Sequence, residues 1–233
     1  MIDAADRAIG PRHVEEVSEF EVSILRTLAV RKRLERVCRG LDGLRAFASA
    51  FYFIRCDFVR INFLVGARCN RNEFEWGGLA RNLYEELGGG QTKAHNQLYR
   101  DFLKSVGVED ELALVEPTFA RRFNDAWEAF AVAAPVPLAL LGVAAYEILD
   151  IPDYGMMCDA LLSVAPYADL TFFKVHSCAE HFALFDELIG ARGGDSVFDG
   201  EFATAAAFVL NTQSRMWSDL LLYLEGQESL VRS

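Results

Sequence analysis

Histidine is scarce in this chain: four among 233 residues, His13, His95, His176 and His181. Cysteine is little used as well. Cys38, Cys56, Cys69, Cys158 and Cys178 are odd in number and scattered, with no short paired spacing. That argues against a disulfide framework, supplies no zinc motif and fits a reducing compartment. Positive charge is in deficit, the formal net charge being −11. Such a balance argues against a nucleic-acid surface and against anionic membranes. The N-terminal stretch MIDAADRAIG contains acids and no apolar core, so no signal peptide is expected and the chain is expected in the cytoplasm. One long uncharged run lies between Glu128 and Glu147, near the lower limit for a membrane span. Pro135 and Pro137 interrupt it, and two buried helices meeting at a proline joint explain it better than a span. No stretch alternates apolar and polar residues as a half-buried strand would. Hydrophobic residues at 52% and charged residues at 24% exclude wholesale disorder.

What is present is helical periodicity. Apolar residues at three- and four-residue spacing predict a helix from His13 to about Arg39 and an aromatic one from about Leu44 to Ala67. Others follow over about Glu73–Leu87, Lys93–Val106, Thr118–Val132, Pro137–Asp150 (stopped by Pro152), Asp153–Val164 and Phe198–Gly226. Gly88, Gly89 and Gly90 are a strong stop signal for the third of these. The stretch 166–191 reads as one long buried helix. The fold class expected is all-α, a bundle of roughly eight to nine helices. It forms one domain over residues 13–233 after a loose leader, residues 1–12.

Three stretches carry groups suited to chemistry. In 166–191, His176 and Glu180 are stacked four residues apart on an apolar face, with His181 next to them. An imidazole and a carboxylate so placed are a satisfied buried pair or two metal ligands. In 82–103, Glu85 and Glu86 lie in the last turn of a helix and His95 in the first turn of the next. Acids at a helix end and a protonated histidine at a helix start are both unfavourable, and a cation between them removes both conflicts. Glu86 shares a stripe with Leu79 and Leu83, while Glu85 lies further from it. Glu147 lies on the apolar face of its helix with Leu140, Val143 and Ala144. A carboxylate there needs a partner or a metal, and Asp150, Arg55 or Arg60 could supply the bland alternative. Carboxylates and imidazoles on facing helices are how bundles hold two irons that react with dioxygen.

With these residues in view, the chain resembles the heme-oxygenase-like diiron oxidases and oxygenases. Their seven-helix core is shared with thiaminase-type proteins and pyrroloquinoline-quinone synthase. Three landmarks carry the resemblance, in family order: NLYEELGGG followed by His95, AAYEILDIP, and FFKVHSCAEHF. The resemblance implies a heme-oxygenase-like bundle with an extra N-terminal helix. Its implied metal ligands are Glu85, His95, Glu147, His176, Glu180 and His181. The family's core helix carries a second histidine where this chain has Ala183. His181 is about 140° from His176 round a regular helix. Either the helix distorts so that His181 turns in, or one iron lacks a histidine.

The implied cofactor is Fe(2+), two per chain, with dioxygen as co-substrate. The implied reaction oxidises a small amine, an amino-acid-derived compound or a fatty acid, by N-oxygenation, carbon–carbon cleavage or desaturation. An external electron donor is compatible with this, and Arg55, Arg60 or Arg81 could hold a substrate carboxylate. Family analogy suggests a homodimer; no nucleic-acid or membrane partner is expected. Two other readings stand beside it. One is a metal-free enzyme of the same fold using Glu147 and the histidines as acid–base groups. The other is a non-catalytic helical protein that binds a ligand or partner.

Overall fold

The computed structural model describes residues 9–69, 73–89, 93–177, 188 and 196–231, and every regular element among them is helical. The helices are α1 (Ile9–Thr27), α2 (Val30–Val37), α3 (Leu41–Cys56), α4 (Phe58–Gly66), α5 (Glu73–Glu86) and α6 (His95–Ser105). A short 3-10 turn, Glu111–Ala113, leads to α7 (Thr118–Ala133), α8 (Val136–Val164), α9 (Thr171–His176) and α10 (Ser196–Val231).

The single helix predicted from His13 to Arg39 is two. They part at Ala29, whose φ of 50° is left-handed. An alanine there costs about 1–2 kcal/mol, a preference that periodicity does not register. The helix predicted over Leu44–Ala67 likewise divides at Asp57. Side chains take up carbonyls near that break. Asn124 Nδ2 donates to the Phe53 carbonyl at 2.8 Å and Asn96 Nδ2 to the Cys56 carbonyl at 3.3 Å. Arg55, between those two positions, is thereby fixed at the end of α3.

Pro152 does not end a helix but lies within α8. A proline removes one backbone donor and commonly costs about 3 kcal/mol inside a helix. Packing outweighs that cost. Every residue of α8 from Ala139 to Asp150 is buried, and the helix continues with Asp153, Tyr154, Met157, Ala160 and Leu161 also buried. It is the central element, packed against α1, α2, α4, α9 and α10. A helix apolar on all sides belongs in such a position. No helix among the described residues is long and apolar enough to cross a membrane.

The helix through His176 is also shorter than predicted on its N-terminal side. It begins at Thr171, and Asp169 Oδ1 accepts the Thr171 backbone N–H at 3.0 Å and its hydroxyl at 2.6 Å. His176 therefore stands in the last turn of α9. At the end of α5, Gly88 and Gly89 take positive φ, 98° and 55°. The Gly89 N–H reaches back to the Tyr84 carbonyl at 2.8 Å, closing the helix as glycine at a C-terminus does. That reversal brings the end of α5 and the start of α6 side by side.

Candidate metal centre

Three helix ends meet at one point. Glu86 closes α5, His95 opens α6 and His176 closes α9, and all three side chains are buried. One ligand atom from each lies within 4.8 Å of the others. His95 Nδ1 is 3.2 Å and His176 Nε2 is 3.7 Å from Glu86 Oε1. The imidazole planes meet at 71° with ring centroids 4.5 Å apart. Aromatic rings complete the wall, Phe172 at 4.2 Å and Tyr154 at 4.8 Å from the His176 ring, centroid to centroid.

The protonation of His176 follows from its contacts. Its Nδ1–H donates to the Phe172 carbonyl at 2.8 Å, one helical turn back. Nε2 is then the nitrogen with the lone pair. Burial, reinforced by the charge of Arg55, lowers this imidazole to about 3, so it is neutral at ordinary pH. Burial opposes ionisation of Glu86, but Arg55, His176 and His95 outweigh it and hold the carboxyl well below the usual range.

Arg55 is the cation at this point, with 1% of its surface exposed. Its Nη2 donates to Glu86 Oε1 at 2.6 Å and lies 2.9 Å from His176 Nε2. The guanidinium carbon sits 4.5 Å over the Phe58 ring. Arg60, in contrast, is a surface residue paired with Asp57 at 3.3 Å and Glu128 at 2.6 Å. Arg81 is exposed.

Glu147 stands beside the cluster, on α8. Its Oε1 accepts a short hydrogen bond from Asn82 Nδ2, and Asn82 lies 3.4 Å from Asn62 Oδ1. Asn62 in turn donates to the Phe58 carbonyl at 2.9 Å. Neither arginine pairs with Glu147; the partner is an amide. Burial, then the nearby acids Asp150, Glu86 and Glu85, pushes the Glu147 carboxyl well above the usual range. Burial does the same to Asp150.

The structure thus brings together His95 and His176, and it brings Glu86 rather than Glu85 to them. Glu85 is only half-buried. The stripe that Glu86 shares with Leu79 was the signal for this; the glutamate chosen by resemblance is one position, about 100° of helix, away. Glu180 and His181 lie outside the described residues. Sequence reasoning passed over Asn62 and Asn82, since neutral amides on a helix carry no mark of burial.

The donor set fits a ferrous ion. Two imidazole nitrogens and a carboxylate oxygen are the ligands of many non-heme iron(II) sites. Bond lengths of about 2.0–2.2 Å place neighbouring ligand atoms roughly 3.0–3.4 Å apart. The Glu86–His95 separation meets this and the Glu86–His176 separation is a little long. Glu86 Oε2 is buried without a hydrogen-bond partner among the described residues, which a second bond to a cation would satisfy.

A sequence model for iron-containing redox enzymes matches residues 45–182. No curated protein matches the chain. Among solved structures, a CADD-like protein of unknown function from Nostoc punctiforme superposes with a TM-score of 0.70 at 17% identity, covering 90% of this chain and 97% of its own. A domain of unknown function with a heme oxygenase-like fold, from Shewanella denitrificans, gives 0.69 at 16% identity, covering 94% and 93%.

Proposed function

Because the chain belongs to the iron-containing redox enzymes and has the heme-oxygenase-like fold, we propose that it is a non-heme iron oxidase or oxygenase acting on a small organic substrate. The observation that carries this reading is the convergence of Glu86, His95 and His176 in a buried, aromatic-walled cluster. These three would hold one ion. Glu147 would serve a second; Glu180 and His181, the further ligands that the resemblance implies, lie outside the described residues. Iron held there supplies the reducing electrons that activate dioxygen.

The protein's own part is positioning and exclusion. The Phe172 carbonyl keeps the His176 Nε2 lone pair turned to the cluster. Asn82, steadied by Asn62, orients Glu147. Tyr154, Phe172 and Phe58 keep water out, which strengthens every charge interaction within. Glu147, holding its proton through burial, can surrender it when positive charge arrives beside it. The substrate class is a small amine, an amino-acid-derived compound or a fatty acid. The outcome is N-oxygenation, carbon–carbon cleavage or desaturation, with an external electron donor where the balance requires one.

The test is anaerobic loading with ferrous ion followed by exposure to oxygen, read as oxygen consumed per chain. Wild type should consume oxygen in proportion to iron bound, and Glu86→Ala, His95→Ala and His176→Ala should not. Equal consumption by these variants would remove the proposal. A second reading, acid–base chemistry without metal, draws on the protonated, buried Glu147. It requires substrate turnover that survives a chelator.

A further inference from the structure

Resting on the ferrous reading of this cluster, we infer that Arg55 is a built-in competitor for the metal, a tethered cation that fills the site's charge and must be displaced when the ion binds. A neutral imidazole has a single lone pair for a donor or a metal, and in His176 it is on Nε2, because Nδ1–H is committed to Phe172. Arg55 Nη2 lies 2.9 Å from that nitrogen. A guanidinium has N–H donors and no acceptor, so the contact can only be N–H into the lone pair. The same Nη2 engages Glu86 Oε1 at 2.6 Å, so one nitrogen occupies two of the three metal-binding atoms. A metal bond and this hydrogen bond cannot share Nε2. Arg55 has to release His176 whenever a metal takes it.

The surroundings allow such an exchange. Arg55 Nε and Nη1 are buried and make no hydrogen bond among the described residues, so the guanidinium is only partly anchored there. Its face is held over Phe58, with Phe172 5.8 Å away, and Asp150 is near enough to feel its charge. A guanidinium sliding along these groups keeps an acid and an aromatic face beside it. Arg55 also gives the buried Glu86 carboxylate the compensating cation that such a group needs.

The consequence is a trade between the stability of the metal-free protein and its metal affinity. Arg55→Met keeps the length of the apolar stem and removes the charge. Titration with Zn(2+) and with anaerobic Fe(2+), each by competition against a chromophoric chelator, should show affinity for the variant at least about tenfold tighter than for wild type. The chelator-treated variant should melt lower than chelator-treated wild type, and metal should raise its melting temperature by more. Equal affinity in the two proteins, or weaker binding in a folded variant, would overturn the inference while leaving the metal site intact. Failure of both proteins to bind either metal would overturn the site and the inference together. If Arg55→Met does not fold, wild type labelled with 15N-arginine decides. Zinc should shift or broaden the Arg55 guanidinium resonances, assigned by their loss in Arg55→Lys. Zinc bound with those resonances unmoved would contradict the exchange.

Discussion

Replacing Glu21 with glutamine should flatten the pH dependence of stability above pH 6. Glu21, on α1, is fully buried and faces Asp153 of α8. Asp153 also accepts from Gln213 Nε2 and, at 3.1 Å, from Trp217 Nε1. Burial, then the charge of Asp153, pushes the Glu21 carboxyl from 4.5 up to about 11, and burial pushes Asp153 up to about 6. Two carboxyls side by side cannot both ionise, so at neutral pH the folded pair keeps one proton, on Glu21. The unfolded chain keeps neither. Folding therefore takes up a proton. The stability this gives is fully present below the unfolded value and is lost as pH rises toward the folded one, at about 1.4 kcal/mol per pH unit. From pH 6 to pH 8 the loss from Glu21 is about 3 kcal/mol. Glutamine cannot titrate but still offers Asp153 an N–H. Urea unfolding at pH 6, 7 and 8 should show the difference between variant and wild type changing by about 3 kcal/mol in favour of the variant. Parallel curves would refute the reasoning and mean that Glu21 is already ionised in the folded protein.

Other outcomes follow from single contacts. A Cβ on Gly43 would stand 2.0 Å from the Val37 carbonyl oxygen, so Gly43→Ala should lower the unfolding free energy by about 1–3 kcal/mol, measured by urea titration. Glu147→Gln mimics a carboxyl that burial keeps protonated, so the metal-free variant should be at least as stable as wild type at pH 7; a marked loss would mean Glu147 is charged there. The same variant should take up less iron than wild type if Glu147 serves a second ion, read by metal analysis after anaerobic loading. Glu86→Gln should weaken ferrous binding at least about tenfold while Glu85→Gln leaves it nearly unchanged, since among the described residues Glu86 is the carboxylate placed beside both histidines.

Much of the bundle was legible because helical spacing is a local property. α5, α6, α7 and α10 lie close to where apolar periodicity and the glycine stop put them. The errors were at joints. Ala29 breaks a helix with a residue that favours helices, and Pro152 fails to break one because α8 is buried throughout Ala139–Asp150 and keeps Asp153, Tyr154, Met157, Ala160 and Leu161 buried beyond it. Both outcomes are decided by neighbours distant in sequence. The site was partly legible for the same reason. His95 stood out as a rare group at a helix start, His176 as a rare group on the apolar face of a helix, and Glu147 as an acid on an apolar face. The choice between Glu85 and Glu86 depended on helix phase, which the Leu79 stripe recorded. Arg55 was expected beside Glu147 or a substrate carboxylate; its partners Glu86 and His176 were not legible, because the contacts join residues 31 and 121 positions apart.

The central claim is that one buried point, made by three helix ends, holds iron. Crystals of the protein soaked anaerobically with ferrous ion, measured at the iron absorption edge, test it most directly. The account predicts an anomalous peak within bonding distance of a Glu86 carboxylate oxygen, His95 Nδ1 and His176 Nε2, with the Arg55 guanidinium displaced from His176. A peak elsewhere, or none at this cluster with Arg55 still seated on His176, would contradict it.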